Sequence, residues 1–139
     1  MAILLYIKGQ SVMNGINVVF DTCAIIKLLH RQYDLNALSI NVEKTQFFTS
    51  VITRMELLSK RDLTNDEKQD IMNFLGDLTV VPLDENVEIT AIEIRRATSM
   101  KLPDCIIAAS SIALNATLLT NDDRLLNLSW PGLHTQNIL

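Results

Sequence analysis

Apolar positions along the chain fall into short runs separated by longer amphipathic stretches. Asn17–Phe20 (NVVF), Gln46–Ser50 (QFFTS), Thr79–Leu83 (TVVPL) and Thr117–Thr120 (TLLT) are too short for helices and read as strands, with Leu133–Thr135 as a possible last one. Helical spacing predicts helices over Thr22–Gln32, around Leu35–Glu43, over Val51–Lys60, from Asp84 or Glu85 to Thr98, from Pro103 to about Ala116, and over Asp122–Leu126. Thr64-Asn-Asp-Glu67 matches a capping box, in which each side chain satisfies a free amide at a helix start. The helix it opens is expected to reach Leu78, burying Ile71, Leu75 and Leu78. Pro82 removes a ladder donor and marks its strand as an edge, while Pro103 suits the first position of a helix.

Short apolar strands alternating with helices imply right-handed crossovers and a parallel sheet covered on both faces, an α/β fold. Ligands in such sheets bind beyond the carboxyl ends of the strands. Asp21 directly follows the first strand and Asp122 stands two residues after TLLT. Glu56 lies about two turns into the helix leaving QFFTS, and Asp104 lies in the first turn of the helix at Pro103. Four carboxylates from four segments are therefore expected on one rim. Helix capping explains Asp21, Asp104 or Asp122 taken singly. It cannot explain Glu56, whose place in VITRMELL predicts a partly buried face and a need for positive charge.

Clustered carboxylates raise one another's pKa unless a cation arrives. Hard oxygen ligands select Mg²⁺ or Mn²⁺, which bind one or two carboxylates plus substrate phosphate. The chemistry this implies is metal-assisted phosphodiester hydrolysis by one or two ions.

Composition narrows the alternatives. With 139 residues, 48% hydrophobic and 20% charged, the chain is one globular domain, 1–139, and neither disordered nor a polyelectrolyte. Residues 1–15 read as a dispensable tail, since Met13 offers an alternative start. A net charge of −4 provides no global basic field, so a nucleic acid must be held locally. Cys23 and Cys105 form no CxxC pair, which excludes a zinc site and a disulfide framework and suits small buried residues in a reducing cytosol. The apolar run Ala2–Ile7 has no basic residue before it and fails as a signal peptide, and no segment reaches the roughly 18 apolar residues of a membrane span. A cytoplasmic location is expected.

Four segments in order, VVFDTCAII (18–26), FFTSVITRMELLSK (47–60), LPDCIIAASSIALNATLLTNDDRLLNL (102–128) and the closing Gly-Leu-His-Thr, resemble the PIN-domain ribonucleases, specifically VapC-like toxins of bacterial toxin–antitoxin pairs. The resemblance implies a three-layer α/β/α fold with a central parallel sheet of four or five strands. It further implies Mg²⁺- or Mn²⁺-dependent endonucleolytic cleavage of RNA, leaving 5′-phosphate and 3′-hydroxyl ends. A small antitoxin would inhibit the enzyme, a homodimer is common in the family, and DNA would be met only through the antitoxin. The family's acids map onto Asp21, Glu56, Asp104 and Asp122, and its final hydroxyl onto Thr120, which would orient the metal's surroundings. Asp123 is an auxiliary acid or a helix-start residue. The family often carries Asn two places after its first Asp, where this chain has Cys23.

Arg95, Arg96, Lys101 and Arg124, with Arg54, are candidate phosphate contacts or simply solvated helix residues. His30 and His134 lack the partners of acid–base catalysis. Ile25, Ile26, Leu28, Leu29, Met55, Leu57 and Leu58 widen two apolar stripes enough for core, dimer face or antitoxin groove. The competing reading is a weak or inactive module of the same fold, kept for antitoxin binding, dimerisation or RNA tethering; Cys23 is its support. A haloacid-dehalogenase-type phosphatase needs a second Asp where Cys23 stands. A nucleotide-binding enzyme needs a glycine-rich loop that four scattered glycines cannot form.

Overall fold

The computed structural model describes residues 17–30 and 44–138. The helix expected around Leu35–Glu43 and the tail expected over residues 1–15 lie outside them. In chain order the elements are β1 (Asn17–Phe20), α1 (Thr22–Leu29), β2 (Gln46–Ser50), α2 (Val51–Leu58), α3 (Asn65–Gly76), β3 (Thr79–Val81), α4 (Glu85–Ala97), α5 (Leu102–Ala113), β4 (Thr117–Thr120), α6 (Asp123–Leu126) and β5 (His134–Asn137). The five strands form one sheet in the order β3-β2-β1-β4-β5. Every pairing is parallel, with Phe20 opposite Thr49 on one side and Leu119 on the other.

Strand periodicity divides the core into two layers. Val18 and Phe20 of β1, Phe47 of β2 and Leu119 of β4 face one side, packing with Ile25 and Leu28 of α1, Leu57 of α2 and Ile71, Phe74 and Leu75 of α3. Val19, Phe48 and Leu118 point the opposite way, against Val87, Ala91 and Ile94 of α4 and Ile106 to Ala109 of α5. Period-two alternation in strands buried on both faces thus produces the expected α/β/α sandwich. The Phe20 and Phe47 rings stack at 5.3 Å, and Phe74 closes on Phe20 at 6.0 Å. Burying each such ring contributes about 2–3 kcal/mol.

Local signals set most boundaries. The capping box at α3 is formed, with the Glu67 amide donating to Thr64 Oγ1 at 3.1 Å and the Thr64 amide to Glu67 Oε1 at 3.3 Å. The Asp84 carboxylate accepts from the Val87 amide at 3.0 Å and starts α4. Asn115, at φ 49°, adopts the left-handed conformation that Asn tolerates and turns the chain from α5 into β4. Three expectations shift. Helix α3 ends at Gly76 rather than Leu78, because the last turn closes on Asp77. Helix α5 opens at Leu102, so Pro103 occupies its second position. The last strand is His134–Asn137 rather than Leu133–Thr135. This edge strand is polar and is held by backbone pairing to β4, so hydrophobic patterning starts it one residue early and ends it two residues short.

Candidate active site

The chain runs outward from β1 through β2 to β3, then returns to lay β4 against the other side of β1. Between β1 and β4 the winding reverses, and in open α/β sheets ligands bind at such a point, beyond the carboxyl ends of the strands. Asp21 and Thr120 stand at those two ends. The Asp21 amide donates to Leu119 O at 3.0 Å, carrying the β1–β4 ladder one step past β1. Thr49 Oγ1 donates to Phe20 O at 2.9 Å and secures the same corner from β2.

Asp21 is only 5% exposed. Its Oδ1 accepts from the Thr22 amide at 2.7 Å, and its Oδ2 from the Thr120 hydroxyl at 2.7 Å and the Cys23 thiol at 3.3 Å. Capping is therefore a small part of its role, since its second oxygen is held from across the sheet. Burial, followed by the Asp21 charge, pushes the Cys23 thiol up, keeping it a neutral donor. Cys23 Sγ also accepts from the Asn121 amide at 3.4 Å, joining the β1–α1 and β4–α6 corners. The thiol thus supplies a hydrogen bond to the first acid despite the change from Asn. Cys105 is buried and Cys23 half-buried, and both are free thiols.

Asp122 caps α6 as expected, with the Arg124 amide on its Oδ1 at 2.9 Å. The Arg124 side chain returns onto the same carboxylate, Nε to Oδ1 at 3.3 Å and Nη2 to Oδ2 at 3.1 Å. This pairing holds the Asp122 carboxyl below its ordinary value. Nη2 also lies 3.5 Å from Asp104 Oδ2. Asp104 caps nothing: Lys101 stands at the N-cap of α5 without a side-chain bond, and Asp104 sits inside the first turn. Burial pushes the Asp104 carboxyl up; Arg124 pulls it down, while Asp122, Asp21 and Glu56 push it further up. The other three expected acids therefore all act electrostatically on the Asp104 carboxyl.

Glu56 is exposed, contrary to the expected half-buried face, because α2 turns Thr53 and Leu57 inward instead. Its place is set by a hydroxyl that sequence reasoning missed. Thr22 Oγ1 donates to Glu56 Oε1 at 2.8 Å and lies 3.2 Å from Thr53 Oγ1. The adjacent Asp-Thr pair is legible in the chain, but its reach to α2 is not. Asp123 is exposed at the first residue of α6. Arg54, Arg96 and Lys101 are exposed, whereas Arg95 spends its guanidinium on the Met100 carbonyl at 2.8 Å. His30 and His134 lie at the surface.

Among the described residues, no three His, Cys, Asp or Glu side chains stand close enough to hold a metal ion by themselves. Mg²⁺ and Mn²⁺ ask less, taking one or two carboxylates and keeping several waters. A rim of hard oxygen donors in which like charges already raise the Asp104 carboxyl fits that requirement.

A family model for the PIN domain matches residues 18–131, and the chain belongs to the PIN domain family. PIN domains are generally nucleases that use divalent metal ions. Among solved structures, a chain of VapBC2 from Rickettsia felis, bound to a promoter DNA fragment, superposes with a TM-score of 0.74 at 22% identity, covering 87% of this chain and 98% of that one. A chain of DNA-bound VapBC from Salmonella typhimurium gives 0.72 at 19% identity, over 89% and 99%. VapBC-5 from Mycobacterium tuberculosis gives 0.65 at 20% identity, over 88% and 98%. The fold is that of the VapC toxins in VapBC toxin–antitoxin complexes. Comparison with curated proteins finds no match.

Proposed function

We propose that this chain is a metal-dependent endoribonuclease that acts as the toxin of a toxin–antitoxin pair. The carrying observation is the geometry around the β1–β4 reversal, where Thr120 and Cys23 hold Asp21 in one orientation, Thr22 holds Glu56, and Arg124 joins Asp122 to Asp104. Asp21, Asp104 and Glu56 would hold one or two Mg²⁺ or Mn²⁺ ions, with Asp122 beside them. A bound ion would supply Lewis-acid polarisation of a phosphate and lower the pKa of a water. Arg96 and Lys101 are exposed for phosphate contact, while the Arg124 guanidinium lies on Asp122 and Asp104. Arg95, also exposed, donates one guanidinium nitrogen to the Met100 carbonyl and so is tied to the α4–α5 connection.

Beside the acids, a cavity of about 340 Å³ is lined by Thr22, Ile26, Leu29, Glu56, Leu57 and Ile71, among others. Its apolar wall suits the apolar face of an amphipathic antitoxin segment, and its polar rim carries both acids and bases, Glu56 and Asp70 with Lys60 and His30. No helix among the described residues is long and apolar enough to cross a membrane. A homodimer is part of this reading.

The test is cleavage of structured and unstructured RNA with Mg²⁺, Mn²⁺ or EDTA. Activity is expected with either ion and is expected to be abolished by EDTA and by Asp21→Asn or Asp104→Asn. Undiminished cleavage by the Asp104→Asn protein would overturn the assignment. Mn²⁺ binding without cleavage of any RNA would favour the inactive-module reading.

A further inference from the structure

Arg124 stands on the acid cluster as well as beside it. Its amide, Nε and Nη2 all address Asp122, at 2.9, 3.3 and 3.1 Å, so the guanidinium is presented by the first turn of α6. From there Nη2 reaches Asp104 Oδ2 at 3.5 Å and bridges the two acids. The side chain is 55% exposed, so it can turn away into solvent without disturbing the core.

We propose that Arg124 is a built-in competitor for the divalent ion, neutralising the Asp104–Asp122 side of the cluster while the chain is metal-free. This rests on the metal-dependent reading above. A guanidinium and a divalent ion cannot share the Asp104 oxygens without strong repulsion, so loading on that side requires Arg124 to withdraw. Its longer contact, to Asp104, is the one to break first, while the shorter ones keep it anchored on Asp122. Arg suits this role because its planar fork grips Asp122 through Nε and Nη2 while Nη2 also reaches Asp104, where a Lys ammonium offers a single point of charge. The arrangement sets the ion concentration at which the free protein loads.

The experiment is calorimetric titration of Mn²⁺ into the full-length wild-type chain, Arg124→Gln and Arg124→Lys, with thermal melts of each in EDTA and in Mn²⁺. Arg124→Gln should bind Mn²⁺ roughly tenfold more tightly, as expected when one solvent-screened positive charge is removed beside the ion. It should also melt lower than wild type in EDTA and gain more from Mn²⁺. Arg124→Lys, which keeps the charge and loses the fork, should fall between the two. Equal or weaker binding by Arg124→Gln, with wild type still binding Mn²⁺, overturns the competition and leaves the metal-dependent reading standing. Failure of every protein to bind Mn²⁺ overturns both.

Discussion

Asp21 and Thr120 are 99 positions apart, yet their side chains meet at 2.7 Å in a site where both are buried. A carboxylate so placed must have its oxygens satisfied, and Thr120 provides the shorter of the two side-chain donors to Oδ2. Thr120→Val keeps the shape but removes that donor. It should cost about 1–3 kcal/mol in urea unfolding and lower nuclease activity, while Thr120→Ser should retain most of both. Asp104 illustrates the opposite case. Its carboxyl is pushed above the ordinary value, so the folded state holds a proton more readily than the unfolded chain does. The penalty is therefore present at neutral pH and relieved as pH falls through the folded value. Asp104→Asn should melt higher than wild type at pH 7, with the gap closing as the pH falls into the acid range, while losing cleavage. Scanning calorimetry across that range checks the sign.

At the scale of elements, each acid depends on the start of a helix. Ser50 is fully buried, ends β2 and caps α2 by accepting from the Ile52 amide at 3.1 Å, which sets the rotation that presents Glu56. Ser50→Ala should cost about 1 kcal/mol, read as a lower melting temperature, and should weaken Mn²⁺ binding less than Glu56→Gln does. Such caps were legible in the chain because their partners lie two or three residues away. Thr64 with Glu67 and Asp84 with Val87 are of this kind. The burial of Glu56 was misjudged for the converse reason. VITRMELL is apolar on more than one side, and only packing against β2 and α3 turns Leu57 inward and leaves Met55 and Glu56 outside. The bounds of strand β5 shift for a similar reason: HTQN carries no apolar alternation, and its extent comes from ladder bonds to β4.

For the molecule as a whole, the net charge of −4 acquires a location. Setting aside Asp21, Glu56, Asp104 and Asp122 leaves twelve acids against 12 bases, a balanced remainder. An ion that binds only the folded state stabilises it by mass action, about 2.7 kcal/mol at a hundredfold excess over its Kd. Mn²⁺ should thus raise the melting temperature of the wild-type chain well beyond NaCl of equal ionic strength, and should do so little in an Asp21→Asn, Asp104→Asn double variant. The sequence by itself determined the strand and helix alternation, the caps, the parallel α/β architecture and the four acids at its carboxyl edge. Each of these follows from side-chain periods of two or 3.6 residues and from hydrogen bonds a few positions long. Only the tertiary structure decided that Asp21 is held by Thr120 and Cys23, that Thr22 sets Glu56, and that Arg124 bridges Asp122 to Asp104. Those contacts depend on the order in which strands lie across the sheet and on the register of β1 against β4. Backbone pairing between distant segments fixes both, and nothing in the neighbourhood of any one residue encodes them.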